Sequence, residues 1–220
     1  MGLGLKLPTG DYRYNDFFWK NDSTKVLGPV DQSIQLGDGG TGISLELNGY
    51  YVFNKALSAY GNFYYLSNPR EHNGVSTARG GTTSATNILY GSSVMSVPDQ
   101  YALRAGLFYG IKKIEGLGFS LGGRLEGVPV RDLVGESGGF RRPGYVISVE
   151  PGVSYMLGNV TATLNVPVAL VRNRTRSLTD IADSTPDNIR HGDAAFADYL
   201  INFGVTWRIP KKIESPFSVL

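Results

Sequence analysis

The chain has 220 residues, a net charge of +2, 18% charged residues and no Cys. That composition excludes a disulfide framework, a thiolate metal site and a Cys nucleophile, and supplies no strong field for nucleic acid. The 29 Gly, 13 Tyr and 10 Phe point to extended β-structure.

Gly2–Leu7 predicts a short strand, with Leu3, Leu5 and Leu7 alternating with Gly4 and Lys6, and breaks at Pro8-Thr9-Gly10-Asp11. Gly2 to Gly10 lacks the charged region and long apolar core of a signal peptide. Thr41–Phe53 and Leu57–Ser67 predict two longer strands joined by Asn54-Lys55-Ala56. In the first, Ile43, Leu45, Leu47, Tyr51 and Phe53 share one face against Ser44, Glu46, Asn48 and Tyr50; in the second the sorting is blurred, with Tyr60, Tyr64 and Leu66 opposite Leu57, Ala59, Phe63 and Tyr65. Gln100–Ile111 and Leu117–Gly127 follow, joined across Lys112–Gly116. Tyr101, Leu103, Ala105, Leu107, Tyr109 and Ile111 oppose Arg104, and Leu117, Phe119, Leu121 and Leu125 oppose Ser120, Arg124 and Glu126. Gly144–Leu157 and Val160–Val171 meet at the turn signal Gly158-Asn159. Their apolar faces oppose Ser148, Glu150 and Ser154 on one strand and Thr161, Thr163 and Asn165 on the other. Asp198–Ile209 closes the series, Tyr199, Ile201, Phe203, Val205, Trp207 and Ile209 against Asn202, Thr206 and Arg208. No helix is expected. Pro151 and Pro167 lie inside strands and predict bulges or bends, which in a channel wall could open a lateral gap.

The connections alternate between short turns and the long segments Pro8–Gly40, Asn68–Asp99, Val128–Pro143 and Arg172–Ala197. Long loops on one side only are typical of outer-membrane barrels, and most segments reach the roughly 9–11 residues that a tilted strand needs to cross a bilayer. The expected fold is therefore all-β: an antiparallel up-and-down transmembrane barrel over residues 1–209, followed by a periplasmic tail over 210–220. Its lumen is expected to be lined by Lys6, Glu46, Asn48, Arg104, Arg124, Glu126, Glu150, Asn165, Asn202 and Arg208. Tyr51, Phe53, Tyr101, Tyr109, Tyr145, Tyr155, Tyr199 and Trp207 are expected to form aromatic girdles at the two membrane interfaces.

Other patterns are weaker. Gly135-Glu136-Ser137-Gly138-Gly139 matches G-x-S-x-G but lacks the strand–turn–helix setting of a nucleophile elbow, and His72 and His191 fall in other loops. Gly37–Gly42 is Gly-rich without the Lys of a phosphate loop. Asp180, Asp183, Asp187, His191 and Asp193 share one loop without EF-hand spacing and read better as a solvated loop than as a Ca²⁺ site. Arg141, Arg142, Arg172, Arg174 and Arg176 lie just beyond strand ends, where they could grip lipopolysaccharide phosphates or serve as ordinary surface charge.

The segment Gly2-Leu3-Gly4-Leu5-Lys6-Leu7-Pro8-Thr9-Gly10-Asp11 resembles the G-x-x-LPTGD stretch of the outer-membrane proteins named for the meta pathway of phenol degradation, and Gly204–Ile209 is similar to the closing strand of that group. The resemblance implies an outer-membrane channel for small aromatic or apolar compounds, without catalytic residues. It departs from the family in that the LPTG segment stands at the start and Pro210–Leu220 follows the closing strand. The expectation drawn from this is a chain lacking an N-terminal portion, eight strands of a barrel of about twelve; the rival is a complete eight-stranded barrel.

The functional expectation is a passive channel for small solutes in the bacterial outer membrane, with membrane lipid and lipopolysaccharide as partners, no nucleic acid, no cofactor, no metal and no enzymatic activity. The alternative is a closed, non-conducting barrel with a structural or surface-binding role. A membrane-embedded hydrolase acting through Ser137 stands third.

Overall fold

The computed structural model describes residues 1–192 and 196–209. In chain order the strands are β1 (Gly2–Lys6), β2 (Asn15–Asn21), β3 (Thr24–Pro29), β4 (Gly42–Val52), β5 (Leu57–Ser67), β6 (His72–Ser76), β7 (Val94–Ser96), β8 (Gln100–Gly110), β9 (Leu117–Val128), β10 (Gly144–Leu157), β11 (Val160–Asn165), β12 (Val168–Arg174) and β13 (Asn202–Trp207). Two short helices, α1 (Ala85–Leu89) and α2 (Leu178–Ala182), lie between strands.

The protein is all-β, built on one antiparallel sheet curled into a half-barrel. Its order is β1-β4-β5-β8-β9-β10-β11-β13, with β12 also paired to β10. Short turns make neighbours of β4 and β5, of β8 and β9 and of β10 and β11, and the sheet keeps the same sequential order across the long loops that join β1 to β4, β5 to β8 and β9 to β10. The Asn54 side chain accepts from the backbone N–H of Ala56 at 2.9 Å and of Leu57 at 3.0 Å, which closes the β4–β5 turn. Gly158 takes φ +57° in the β10–β11 turn, a left-handed conformation that favours Gly. Among the described residues β1 and β13 do not pair with each other, so the sheet has two free edges.

Three expectations about elements are corrected. First, the expected strand Val160–Val171 is two pieces. β11 pairs with Gly152–Leu157 and β12 with Gly144–Val149, leaving Glu150–Pro151 opposite Val166–Pro167. Both prolines fall in the same gap, since neither can donate to the ladder there; one hydrogen bond, Val166 N to Pro151 O at 3.0 Å, bridges it. The gap also frees residues 198–201 from regular pairing, so β13 begins at Asn202 instead of Asp198. Second, the long loops hold structure of their own. β2 and β3 form a hairpin, and β6 pairs with β7. Third, α1 and α2 are single turns started by serine caps. The Ser84 hydroxyl accepts from Asn87 N at 3.1 Å, and Ser177 and Asp180 form a reciprocal capping box. Turns this short leave no apolar periodicity to read.

The best-buried apolar residues are Val30, Val75, Met95 and Val97 in the loop region, with Ala56, Leu66 and Val146 on or beside the sheet. The structured loops thus form a cap with its own small core at one end of the sheet.

Candidate functional site

Strand register gathers most of the expected lumen residues on one face. Asn48, Asn62, Arg104, Arg124 and Ser148 form one row across β4, β5, β8, β9 and β10. Glu46, Tyr64, Ala102, Glu126 and Val146 form the next row, and Tyr50, Tyr60, Gly106, Gly122 and Glu150 the row on the other side. Val52, Ser58, Phe108, Ser120, Gly152, Asn165 and Asn202 continue the face toward the turns. Near the turns Arg208 lines a cavity with Phe108, Ser154, Met156 and Thr161.

The charges on this face pair across and along the strands. Arg104 on β8 reaches over β9 to Glu150 on β10, with its Nε 3.1 Å from Oε2 and its Nη2 on Oε1. The Glu150 side chain is 2% exposed and that of Arg104 34%. Arg124 pairs with Glu126 two positions along β9. Asn48 donates to Glu46 at 2.9 Å, and Asn62 donates to Asn48. Tyr60 explains why β5 looked blurred in sequence. Its hydroxyl lies over Gly106 and Gly122, where an added Cβ would stand 2.6 and 2.5 Å from it. A polar-face aromatic thus fills space left by two glycines on neighbouring strands.

The opposite face is apolar and exposed. Leu103, Leu107, Tyr109, Phe119, Leu121, Ile147, Leu164, Phe203, Val205 and Trp207 are all exposed. The expected girdle residues sit near the ends of this face. Tyr51 and Phe53 make an edge contact at 5.1 Å near the β4–β5 turn, and Tyr109, Tyr155 and Trp207 lie near the turns as well. Tyr101, Tyr145 and Tyr199 lie at the loop end; Tyr145 accepts a hydrogen bond from Asn173 at 3.0 Å, and Tyr199 bridges to Val168.

Lys6, one of the expected lumen residues, sits at the loop end of β1. It pairs with Asp38 and donates to Asn68 at 3.1 Å, joining the first strand to the loop cap. From there a buried polar network runs through the cap. Asp99 accepts from Asn68 N at 2.6 Å, from the Tyr65 hydroxyl at 2.7 Å and from Leu133 N at 2.8 Å. Asp132 accepts from Asp99 N at 2.8 Å and takes a two-pronged ion pair from Arg141 at 2.9 and 2.6 Å. Both side chains of that pair are 0% exposed. Arg141 is therefore no lipopolysaccharide ligand: its guanidinium is spent on Asp132 inside the cap.

A second knot ties three loops together. Asp31, just after β3, accepts from both Nη atoms of Arg142 at 2.8 and 3.1 Å and from Arg79. Ser33 adds its N–H at 3.0 Å and its hydroxyl at 2.5 Å. Arg142, outweighing the opposing effect of burial and joined by Ser33 and Arg79, holds the Asp31 carboxyl well below the ordinary carboxylate range. The neighbouring Gln32 donates to Ser96 O at 3.0 Å and Phe140 O at 3.2 Å. Sequence reading missed this clasp, because Arg79 and Arg142 stand 48 and 111 positions from Asp31. Beside it lies a cavity of about 400 Å³, whose wall includes Arg79, Met95, Phe140, Arg142, Arg190 and His191.

Most of the remaining candidates have structural partners. The Ser137 hydroxyl accepts from Asp132 N at 2.8 Å inside the cap, between strands and with no helix following it. Asp180 serves in the α2 cap and pairs with Arg174, and Asp183 pairs with Arg190. Arg172 pairs with Asp198, and Arg176 donates to Ser184 at 3.4 Å. Asp193 and the tail over 210–220 lie outside the described residues. No family model, no curated protein and no solved structure matches this chain.

Proposed function

We propose that the chain forms eight strands of an up-and-down β-barrel of about twelve in the bacterial outer membrane, and that the barrel passes small aromatic or apolar solutes through a polar lumen. One observation carries the reading: burial on the sheet is reversed. Leu107 and Leu121 are 50% and 60% exposed while the Glu150 side chain on the other face is 2% exposed. Fully burying such an apolar side chain is worth about 1.5–3 kcal/mol. Leaving the outward row half exposed to water would forgo on the order of 10 kcal/mol, comparable to the whole stability of a domain. Hydrocarbon removes that penalty, and the girdle aromatics then lie at the two interfaces.

The free edges of β1 and β13 support a larger closed barrel. In lipid each unpaired backbone group costs several kcal/mol, so both edges require partner strands. The resemblance of Gly2–Asp11 to the phenol meta-pathway group supports the solute class. The non-conducting reading has its own support, since Arg104–Glu150, Arg124–Glu126 and Tyr60 already fill part of the polar face.

Protein purified from its native membrane and placed in planar bilayers tests both. Stepwise conductance, with liposomes that swell in small neutral solutes, is the expected result. Stable insertion without conductance would leave the closed barrel, and failure to insert would overturn both readings.

A further inference from the structure

The cavity beside the Asp31 clasp has features of a binding site, not of packing between loops. Arg79 gives Asp31 a hydrogen bond from one Nη2, yet its side chain is 56% exposed. Arg190 reaches Asp183 through Nε at 3.3 Å and is 54% exposed. Two half-exposed guanidiniums thus line one space of about 400 Å³, whose wall also holds the carboxylates of Asp31, Asp180 and Asp183, each already paired with an arginine. Each presents a planar fork of five donors, and that fork matches a carboxylate. The same wall carries Met95 and the Phe140 ring, over which the Arg142 guanidinium stacks at 5.0 Å. The clasp itself demonstrates the local chemistry: a carboxylate held by arginines and a serine next to an apolar surface. A volume of this size suits a small ring-bearing molecule.

We propose that this cavity is a vestibule subsite for small organic carboxylates with an apolar body, the carboxylate meeting Arg79 and Arg190 and the body resting on Met95 and Phe140. This rests on the transport reading for its purpose, but it concerns binding and is tested without transport. A bound carboxylate would also compete with Asp31 for Arg79, so occupancy would loosen the clasp joining the loop after β3 to the loop after β6.

The test is equilibrium dialysis of the native protein in detergent with benzoate, benzamide and inorganic phosphate. Benzoate is expected to bind at least about tenfold tighter than neutral benzamide, the scale of one charge-assisted contact. Arg79→Gln and Arg190→Gln, both at half-exposed positions, should each weaken benzoate by about tenfold while leaving the thermal unfolding of the sheet in place. Equal binding of benzoate and benzamide, or unchanged benzoate binding in both variants, would overturn the subsite. Phosphate binding as tightly as benzoate would overturn the role given to Met95 and Phe140. Bilayer conductance, with liposome swelling in neutral solutes, measured on Arg79→Gln separates the two claims. Conductance with no benzoate preference rejects only the subsite; benzoate binding without conductance rejects only the channel.

Discussion

The sheet and the loop cap of this protein are packed by opposite rules. In the cap, Val97 is fully buried and the Arg141–Asp132 pair is sealed beneath the surface. On the sheet, leucines, tyrosines and a tryptophan face outward while Arg104 and Glu150 turn in. The cap is organised as a domain in water is. The sheet is organised as though its solvent were hydrocarbon outside and water or polar side chains inside. On the membrane reading proposed above, burial records the solvent on each side of a wall, and one chain reads two solvents along its length.

The comparison can be broken by removing charge in each region. Arg141→Ala should have the largest effect, about 3–5 kcal/mol, because it strands a fully buried Asp132. It should appear as rapid protease nicking between Val128 and Pro143 with the sheet intact. Leu121→Arg tests the outward face. In a bilayer it should cost about 2–4 kcal/mol near mid-depth, measured by unfolding from lipid vesicles. On a water-exposed surface the same change would stay within about 0.5 kcal/mol, and that result would dissolve the contrast. Glu150→Ala should cost less than Arg141→Ala, about 1–2 kcal/mol, because the Arg104 side chain left behind is 34% exposed. It should also shift the reversal potential of a conducting barrel toward anions, since Arg104 loses its partner.

The smallest effect is on pH. The Asp31 carboxyl is held below its ordinary range chiefly by Arg142, so its folded-state pKa is depressed. Its contribution to cap stability is fully present above the unfolded value of about 3.9 and is lost as pH falls toward the folded value. Hydrogen-exchange protection factors of the β2–β3 hairpin, corrected for the intrinsic pH dependence of exchange, should therefore be flat from about pH 5 to 8 and fall below about pH 4, and Asp31→Asn should remove that acid dependence. An acid dependence unchanged in Asp31→Asn would remove the clasp from the cap's stability.

Much of the sheet was legible in sequence because alternation is a local property. Leu103, Ala105 and Leu107 declare their face within five residues, and Asn54 and Gly158 mark their turns without reference to the rest of the chain. Prolines 151 and 167 were each readable as a defect. That they form one shared defect was not, since it depends on which residues the register places opposite each other. Tyr60 read as noise for the same reason: its glycine partners lie on β8 and β9. The cap was the least legible region. Arg141 looked like surface charge because the residue that buries its charge, Asp132, sits in a Gly-rich stretch with no pattern of its own.

What the sequence alone determined is most of the long strands, the side of the sheet to which each long loop belongs and, outside β5, the face each side chain takes. These follow from the two-residue period of a strand and the short reach of a turn. Tertiary structure decided how the rows align, that Arg104 meets Glu150 across a glycine-lined strand, that three loops converge on Asp31 and that a cavity opens beside it. Those contacts join residues tens of positions apart. Only closing the loops between them brings the charges close enough for their attraction to outweigh their hydration.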